Sequence, residues 1–301
     1  MKYSKKTFEN EAEKQEFVNR CEHDFEALLD DSLSKIWAIN GLKAIGLSGP
    51  TCSGKTTAAK KLIDDLSAHG RNVRVISIDD FFKDTERAKA DDEPPDFDSV
   101  NALDLEEFVR CTEDIYAGRT AKIPRFDFLT GKRAGYTEID PDPKDVYIFE
   151  GIQAIYPEVV RALGGAESVY IRVMSEINVG GTVFLPNEIR LMRRIVRDHN
   201  FRGADPEYSM FLWQSVRANE EKSIFPYEHN CNVKIDSAIP YEINVLVQFL
   251  RPLLMQIGKD SKFYPKAKEM LEKTEGIESI PSIMIPDGSI YYEFIKNEHI
   301  N

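Results

Sequence analysis

Gly49-Pro50-Thr51-Cys52-Ser53-Gly54-Lys55-Thr56 satisfies the pattern G-x-x-x-x-G-K-[ST] at every fixed position. The apolar run 42–48 before it reads as a short buried strand. Residues 55–69 after it read as a helix, stopped by Gly70. Strand, glycine-rich loop and helix in that order make a cradle for phosphate, because backbone N–H groups of the loop and the helix N-terminus can all point at one anion. Gly49 and Gly54 let the chain turn and approach the phosphate closely. Lys55 is expected to reach the β- and γ-phosphates, and the Thr56 hydroxyl to ligate Mg²⁺. Thr51, Cys52, Ser53 and Thr57 complete the residues expected to touch a nucleotide. Cys52 is read as a small spacer in the loop and not as a redox switch.

Working outward, residues 73–78 form a second β-rich run, so strand, helix and strand follow one another within a single βαβ unit of a parallel sheet. Further strands are expected at 146–149, 169–173 and 233–235, and helices at 103–117 and 188–199. The fold class is therefore α/β: a three-layer α/β/α arrangement with a mostly parallel sheet, occupying residues 41–237. Helical extensions flank it at 1–40 and 238–301. In the first, Val18, Cys21, Phe25, Leu28, Leu29, Leu33, Ile36 and Trp37 recur at helical steps, predicting a helix over 5–38 that ends at Asn40-Gly41. In the second, Ile243, Leu246, Val247, Leu250, Leu254 and Ile257 line one face, Pro252 is expected to kink or split the helix, and another short helix is expected over 265–273. The polar stretch 83–98 reads as a loop over the sheet edge.

Two acids fall where such a sheet gathers its ligands, at the carboxyl ends of strands. Ile76-Ser77-Ile78 runs into Asp79-Asp80, and Asp79 is placed to take the proton from an acceptor hydroxyl; its plainer reading is a cap or turn former. Val146-Tyr147-Ile148-Phe149 runs into Glu150-Gly151, and Glu150 is expected near Mg²⁺. Arg190, Arg193, Arg194 and Arg197 form one cationic stripe on a helix whose Leu191, Met192, Ile195 and Val196 dock on the core, and Arg202 follows. Guanidinium groups suit phosphate oxygens, so the stripe is read as a lid that stabilises charge on the transferring phosphoryl group. Surface ion pairing is the plainer alternative.

The bulk properties narrow the partners. The chain has 301 residues, 30% of them charged, and a formal net charge of −12, which leaves no global basic footprint for nucleic acid. No apolar run approaches a membrane span, and the charged start MKYSKKTFENEAEKQEF has no secretory core. Four scattered cysteines and five histidines show no metal spacing. A reduced, cytoplasmic setting and a small-molecule acceptor are expected. A homo-oligomer through the N-terminal helix is the alternative to that helix packing on its own domain. No N-K-x-D segment argues for a GTPase.

Taken in order, GPTCSGKTT, SIDDFF, DFDSVNALDL, PRFDF, FEGI and RLMRRIVRDHNFRG resemble the uridine kinase and phosphoribulokinase group of P-loop kinases over roughly residues 42–237. IFPYEHNCNVKIDSAIPYEINVL is similar to a bacterial nucleoside-kinase-like branch. The resemblance implies ATP and Mg²⁺ as cofactors. It implies Asp79 as catalytic base with Lys55, Arg197 and Arg202 beside it, Glu150 near the metal, and Arg194, Arg197 and Arg202 as phosphate-facing arginines, Arg194 being counted with both the nucleotide and the acceptor. It implies Asp98 on ribose hydroxyls, and Phe82 and Phe126 where related kinases carry tyrosines around a nucleoside. A base-reading His expected near Gly131 and a Gln expected near Leu212 are not there. A nucleoside such as uridine is the leading acceptor; a sugar phosphate, for which Arg190 or Arg193 could supply contacts, pantothenate, or a regulatory ATP-binding role are the alternatives.

Overall fold

The structure, a computed structural model, describes residues 1–84, 99–128 and 130–296. The chain runs through β1 (Lys2–Ser4), α1 (Glu11–Trp37), β2 (Ala44–Ser48), α2 (Lys55–Ala68), β3 (Asn72–Ser77), α3 (Leu105–Tyr116), β4 (Ala121–Asp127), β5 (Lys132–Ile139) and β6 (Asp145–Glu150). It continues through α4 (Pro157–Ala162), β7 (Glu167–Arg172), β8 (Ile177–Val179), β9 (Thr182–Phe184), α5 (Pro186–Arg202), α6 (Pro206–Ser223), β10 (Val233–Asp236), α7 (Glu242–Leu254) and α8 (Tyr264–Lys273).

Five strands form a wholly parallel sheet in the order β10-β7-β2-β6-β3. Its strands read as near-continuous apolar runs because both faces are covered. Successive side chains alternate between the faces and feed two separate cores. Ile45, Leu47, Val146, Ile148, Val169 and Ile171 join the core that also takes residues from α1, α2, α5 and α7. Tyr147, Phe149 and Tyr170 join the other, with residues from α3, α4 and the β4–β5 hairpin. The first core is continuous from Phe17 to Ile295, so it draws on the first forty residues, the sheet region and the stretch after β10 alike.

Several local expectations are corrected. The first helix starts at Glu11, because the Asn10 side chain accepts a hydrogen bond from the Glu13 N–H at 3.0 Å and caps it there. Residues 2–4 instead pair in parallel with β8, which forms an antiparallel pair with β9. Pro252 does not split α7; it lies in the last turn, where a missing N–H removes a single bond, and the helix ends at Leu254. The β4–β5 hairpin, α4 and α6 carry no expectation from the sequence and are present. Among the described residues no helix is long and apolar enough to cross a membrane, and no group of three potential metal ligands gathers.

Candidate functional site

Strand register brings the candidate residues to one edge. Leu47 of β2 pairs with Glu150 of β6, and Glu150 pairs in turn with Ser77 of β3. The phosphate loop leaves β2 one residue later, and Asp79 follows two residues beyond Ser77. Glu150, Asp79 and the loop therefore share the carboxyl edge of three adjacent strands. The junction is tight. The Gly151 N–H donates to the Leu47 carbonyl at 3.1 Å, and a Cβ on Gly151 would lie 2.9 Å from that of Ile78.

The loop depends on both glycines. A Cβ on Gly49 would stand 2.2 Å from the Ile171 carbonyl oxygen, a backbone atom that cannot retreat. Gly54 adopts φ +92° at the N-cap of α2, and a Cβ there would lie 2.0 Å from Ile290 Cδ1. Cys52 also has positive φ, at 58°, and is buried. Lys55 Nζ donates to the carbonyls of Gly49 and Pro50 at 2.9 and 3.3 Å, so its ammonium folds across the loop mouth. The Ser53 hydroxyl is buried with no hydrogen-bond partner. Thr56 and Thr57 border an open cleft with Lys60.

The arginine helix α5 differs from the expected stripe. Arg190 and Arg193 are 1% and 0% exposed and belong to the frame of the loop. Arg190 donates to the Thr51 carbonyl from Nε and Nη2 at 3.1 and 3.0 Å and pairs with the buried Glu220. Arg193 donates to the Cys52 carbonyl at 3.3 Å and makes a two-armed pair with Glu242 at 2.7 and 3.1 Å. These are interior ion pairs, not a solvated face, so neither the lid nor the surface-pairing reading holds for these two. The other three arginines converge on the buried Asp198: Arg194 at 3.3 Å, Arg197 at 2.7 Å and Arg202 at 3.6 Å. One carboxylate against three guanidiniums leaves net positive charge beside the loop, and Arg197 Nη1 reaches the Thr51 hydroxyl at 3.4 Å. Burial works against the Arg197 charge, but Cys52 and Asp198 overturn it and hold that guanidinium above its usual pKa.

On the far side of Asp79, Asp80 has a structural task. Its carboxylate accepts the Phe126 N–H at 3.0 Å and so ties the β4–β5 hairpin to the end of β3. The tie sets Phe82 edge-on to Phe126, with ring centroids 5.6 Å apart, and Phe128 stands edge-on to both. Two of the three rings are buried, and Phe128 is exposed. Asp98 lies outside the described residues. The three phenylalanine rings thus stand beside the acid edge, and Trp213 packs under Arg190, 5.2 Å from its guanidinium.

The sequence pattern described as Phosphoribulokinase / Uridine kinase family matches residues 44–242, from the first residue of β2 to the start of α7. The chain belongs to this family. A Danio rerio uridine-cytidine kinase 2-B is 28% identical over 242 residues, covering 77% of this chain and 87% of that protein. Uridine kinase-like protein 4 of Arabidopsis thaliana is 32% identical over 174 residues, 56% of this chain but 34% of that longer protein. Among solved structures, a Silicibacter sp. TM1040 kinase provisionally named for a fructose transport system superposes with a TM-score of 0.51 at 20% identity. That match covers 65% of this chain and 95% of the other, and it shows the shared fold.

Part of the site lies beyond the stretch that carries the phosphoribulokinase / uridine kinase pattern. Glu293, in the segment Ile290-Tyr291-Tyr292-Glu293-Phe294-Ile295, lines the same cleft as Thr56 and Thr57. Burial pushes its carboxyl above the usual range, while Lys55, Arg193 and Arg197 pull it down. Spacing in the sequence does not reveal this acid. The signal that could have found it is the run of large apolar residues around a single Glu, which marks a buried segment.

Proposed function

We propose that the chain is a kinase that moves the γ-phosphate of ATP, held with Mg²⁺, onto a hydroxyl of a small molecule, with a nucleoside such as uridine as first acceptor. The observation that carries this reading is the register β2–β6–β3, which puts the loop, Glu150 and Asp79 on one edge. The donors present suit a nucleotide. The buried, unpartnered Ser53 hydroxyl, the backbone space kept open at Gly49 and the net positive charge of Arg194, Arg197 and Arg202 around Asp198 all favour an anion. Mg²⁺ needs only one or two protein ligands beside the phosphates and water, so Thr56 and Glu150 suffice to hold it.

When bound, the metal neutralises charge on the phosphates. Asp79 accepts the proton of the acceptor hydroxyl. Lys55, Arg197 and Arg202 offset charge on the transferring group, Arg194 helps to bind both substrates, and Gly49, Thr51, Cys52, Ser53, Gly54 and Thr57 form the cradle. Phe82 and Phe126 bound the acceptor, with Asp98 on its hydroxyls. Residues 41–237 form the kinase unit, with 1–40 and 238–301 as its extensions. The similarity to a uridine-cytidine kinase supports a nucleoside acceptor. The burial and pairing of Arg190 and Arg193 support it too, since the two cations offered for a sugar phosphate are already committed.

A screen of γ-phosphate transfer from MgATP to nucleosides, sugar phosphates and pantothenate tests this. Product with a pyrimidine nucleoside is expected. Turnover only with another acceptor replaces the substrate, and tight ATP binding with no transfer to any of them overturns the enzyme reading.

A further inference from the structure

A cavity of about 500 Å³ lies between α5, α6 and the turn that enters α8, a size usual for small-molecule sites. Leu191 of α5, Met210 and Trp213 of α6, and Phe263 supply its apolar lining. Its walls are tied to one another. Lys273 of α8 donates to both carboxylate oxygens of Glu188 on α5, at 2.8 and 2.6 Å. The Ser261 hydroxyl donates to Glu207 of α6 at 2.9 Å and accepts the Phe263 N–H at 3.1 Å. The space is thus framed by anchored elements and is preformed.

Its charge is one-sided. Glu188, the acid on the lining, is held by Lys273, and Lys266 is paired with Glu269 at 2.9 Å. Lys262 is exposed at the rim, and among the described residues no carboxylate pairs with it. Its ammonium stands 5.0 Å from the ring centroids of Phe211 and Phe263 alike, which fixes where the charge sits. Aromatic walls with one uncompensated cation suit a flat ring that carries a negative group. The Trp213 ring has a second task. It lies 5.2 Å from the Arg190 guanidinium, and Arg190 grips the Thr51 carbonyl at 3.1 and 3.0 Å. One indole therefore joins the cavity to the frame of the phosphate loop.

We propose that this cavity is a regulatory site for a small planar aromatic anion, which stacks on Trp213, sets its charge against Lys262 and loosens the phosphate loop through Arg190. A ligand resting on Trp213 shifts the ring on which Arg190 is seated, and Arg190 then holds Thr51 less well. The ligand moves the loop only by as much as it prefers the shifted indole. The binding half stands on the cavity alone; the effect on the loop rests on the proposed nucleotide site.

The test uses anilinonaphthalene sulfonate, a flat aromatic anion, and its uncharged analogue N-phenylnaphthylamine. The chain has two tryptophans, Trp37 and Trp213, so Trp37→Phe leaves the cavity indole as the single reporter. Saturable energy transfer from Trp213 to the sulfonate is expected. Lys262→Gln should weaken the sulfonate about fivefold, the upper end for an exposed ion pair, and leave the uncharged analogue unchanged. Saturating sulfonate should weaken MgATP about fivefold, the low end of couplings between sites, and that effect should vanish in Arg190→Met with Glu220→Gln. Absence of energy transfer, or equal loss of both probes in Lys262→Gln, overturns the site. Binding with no effect on MgATP overturns the regulatory role. Complete displacement of the sulfonate by MgATP, with Lys262→Gln silent, puts the probe in the nucleotide cleft and also overturns the proposal. If wild type does not bind MgATP, the nucleotide reading falls and takes the effect on the loop with it, while the Lys262→Gln comparison still decides the cavity. Should Trp37→Phe fold poorly, Trp213→Phe reads the same contact: energy transfer is expected to fall sharply while the sulfonate still binds, and unchanged transfer counts against the site.

Discussion

The guanidinium of Arg190 holds the carbonyl oxygen of Thr51 from two nitrogens, at 3.1 and 3.0 Å, across 139 residues of sequence. The phosphate loop is thus shaped by a helix that follows it far down the chain, through a cation that is itself anchored by Glu220.

Arg190→Met is expected to lower stability by about 3 kcal/mol, because it leaves the Glu220 carboxylate buried with only Arg217 to share it. Arg190→Met with Glu220→Gln removes both charges and should recover most of that loss, while ATP affinity stays below wild type because Thr51 has lost its clamp. Thermal melting paired with nucleotide titration separates the two effects. Full recovery of affinity in the double variant would show that the clamp does not shape the loop.

Gly54→Ala should abolish nucleotide binding and cost about 1–2 kcal/mol from the left-handed backbone alone. Adding Ile290→Ala clears the atom in the way and is expected to restore part of the stability but not the strain. Gly49→Ala has no such rescue, because its obstacle is the Ile171 carbonyl. Melting temperatures of the three variants test the distinction.

Asp79→Asn is expected to lower kcat by about 10²–10⁴-fold while MgATP affinity stays near wild type. Retention of normal turnover would remove Asp79 from the role of base. Asp80→Asn is the control. It keeps a carbonyl oxygen for the Phe126 N–H, so its effect should be far smaller.

Stability should fall in acid. Asp145 is buried, which by itself raises its pKa and is the largest influence, but hydrogen bonds from the Asp142 N–H, the Tyr147 hydroxyl and Arg74 bring it below the ordinary carboxylate value. Asp236 is lowered in the same way against burial, by Lys2 and by N–H groups that include those of Met174 and Ala238. A carboxyl lowered in the folded state binds fewer protons there than in the unfolded chain. The stability it contributes is therefore complete above the unfolded pKa of about 3.9 and is lost as pH falls through the folded value. Urea midpoints taken from pH 6 downward should stay level and then drop below about pH 4. Asp145→Asn should be less stable at pH 6 and show a shallower drop.

The local parts of this molecule were legible. The loop pattern, the acids at the carboxyl ends of β3 and β6 and the central strands are signals confined to a few consecutive residues. The roles of Arg190 and Arg193 were not, because they depend on Glu220 and Glu242, whose nearness is created only by folding. Helical spacing placed four arginines together, yet it does not say which of them are surrounded on every side. Residues 2–4 escaped notice since three residues cannot display a period, and their partner strand β8 is as short. Glu293 lies in a segment with no motif at all, and its raised pKa comes first from burial, which only folding creates.

The contact between Ile290 and Gly54 has a consequence for how the protein is made. A ribosome releases the loop glycine long before the isoleucine that supports it. Until then the cradle lacks its floor, and β2 also waits for β6 and β7 to pair on either side of it. A nascent chain therefore exposes an unfinished apolar face until Ile290 emerges, while aggregation competes with folding. Tight nucleotide binding by a nascent chain is expected only once synthesis has passed Ile290.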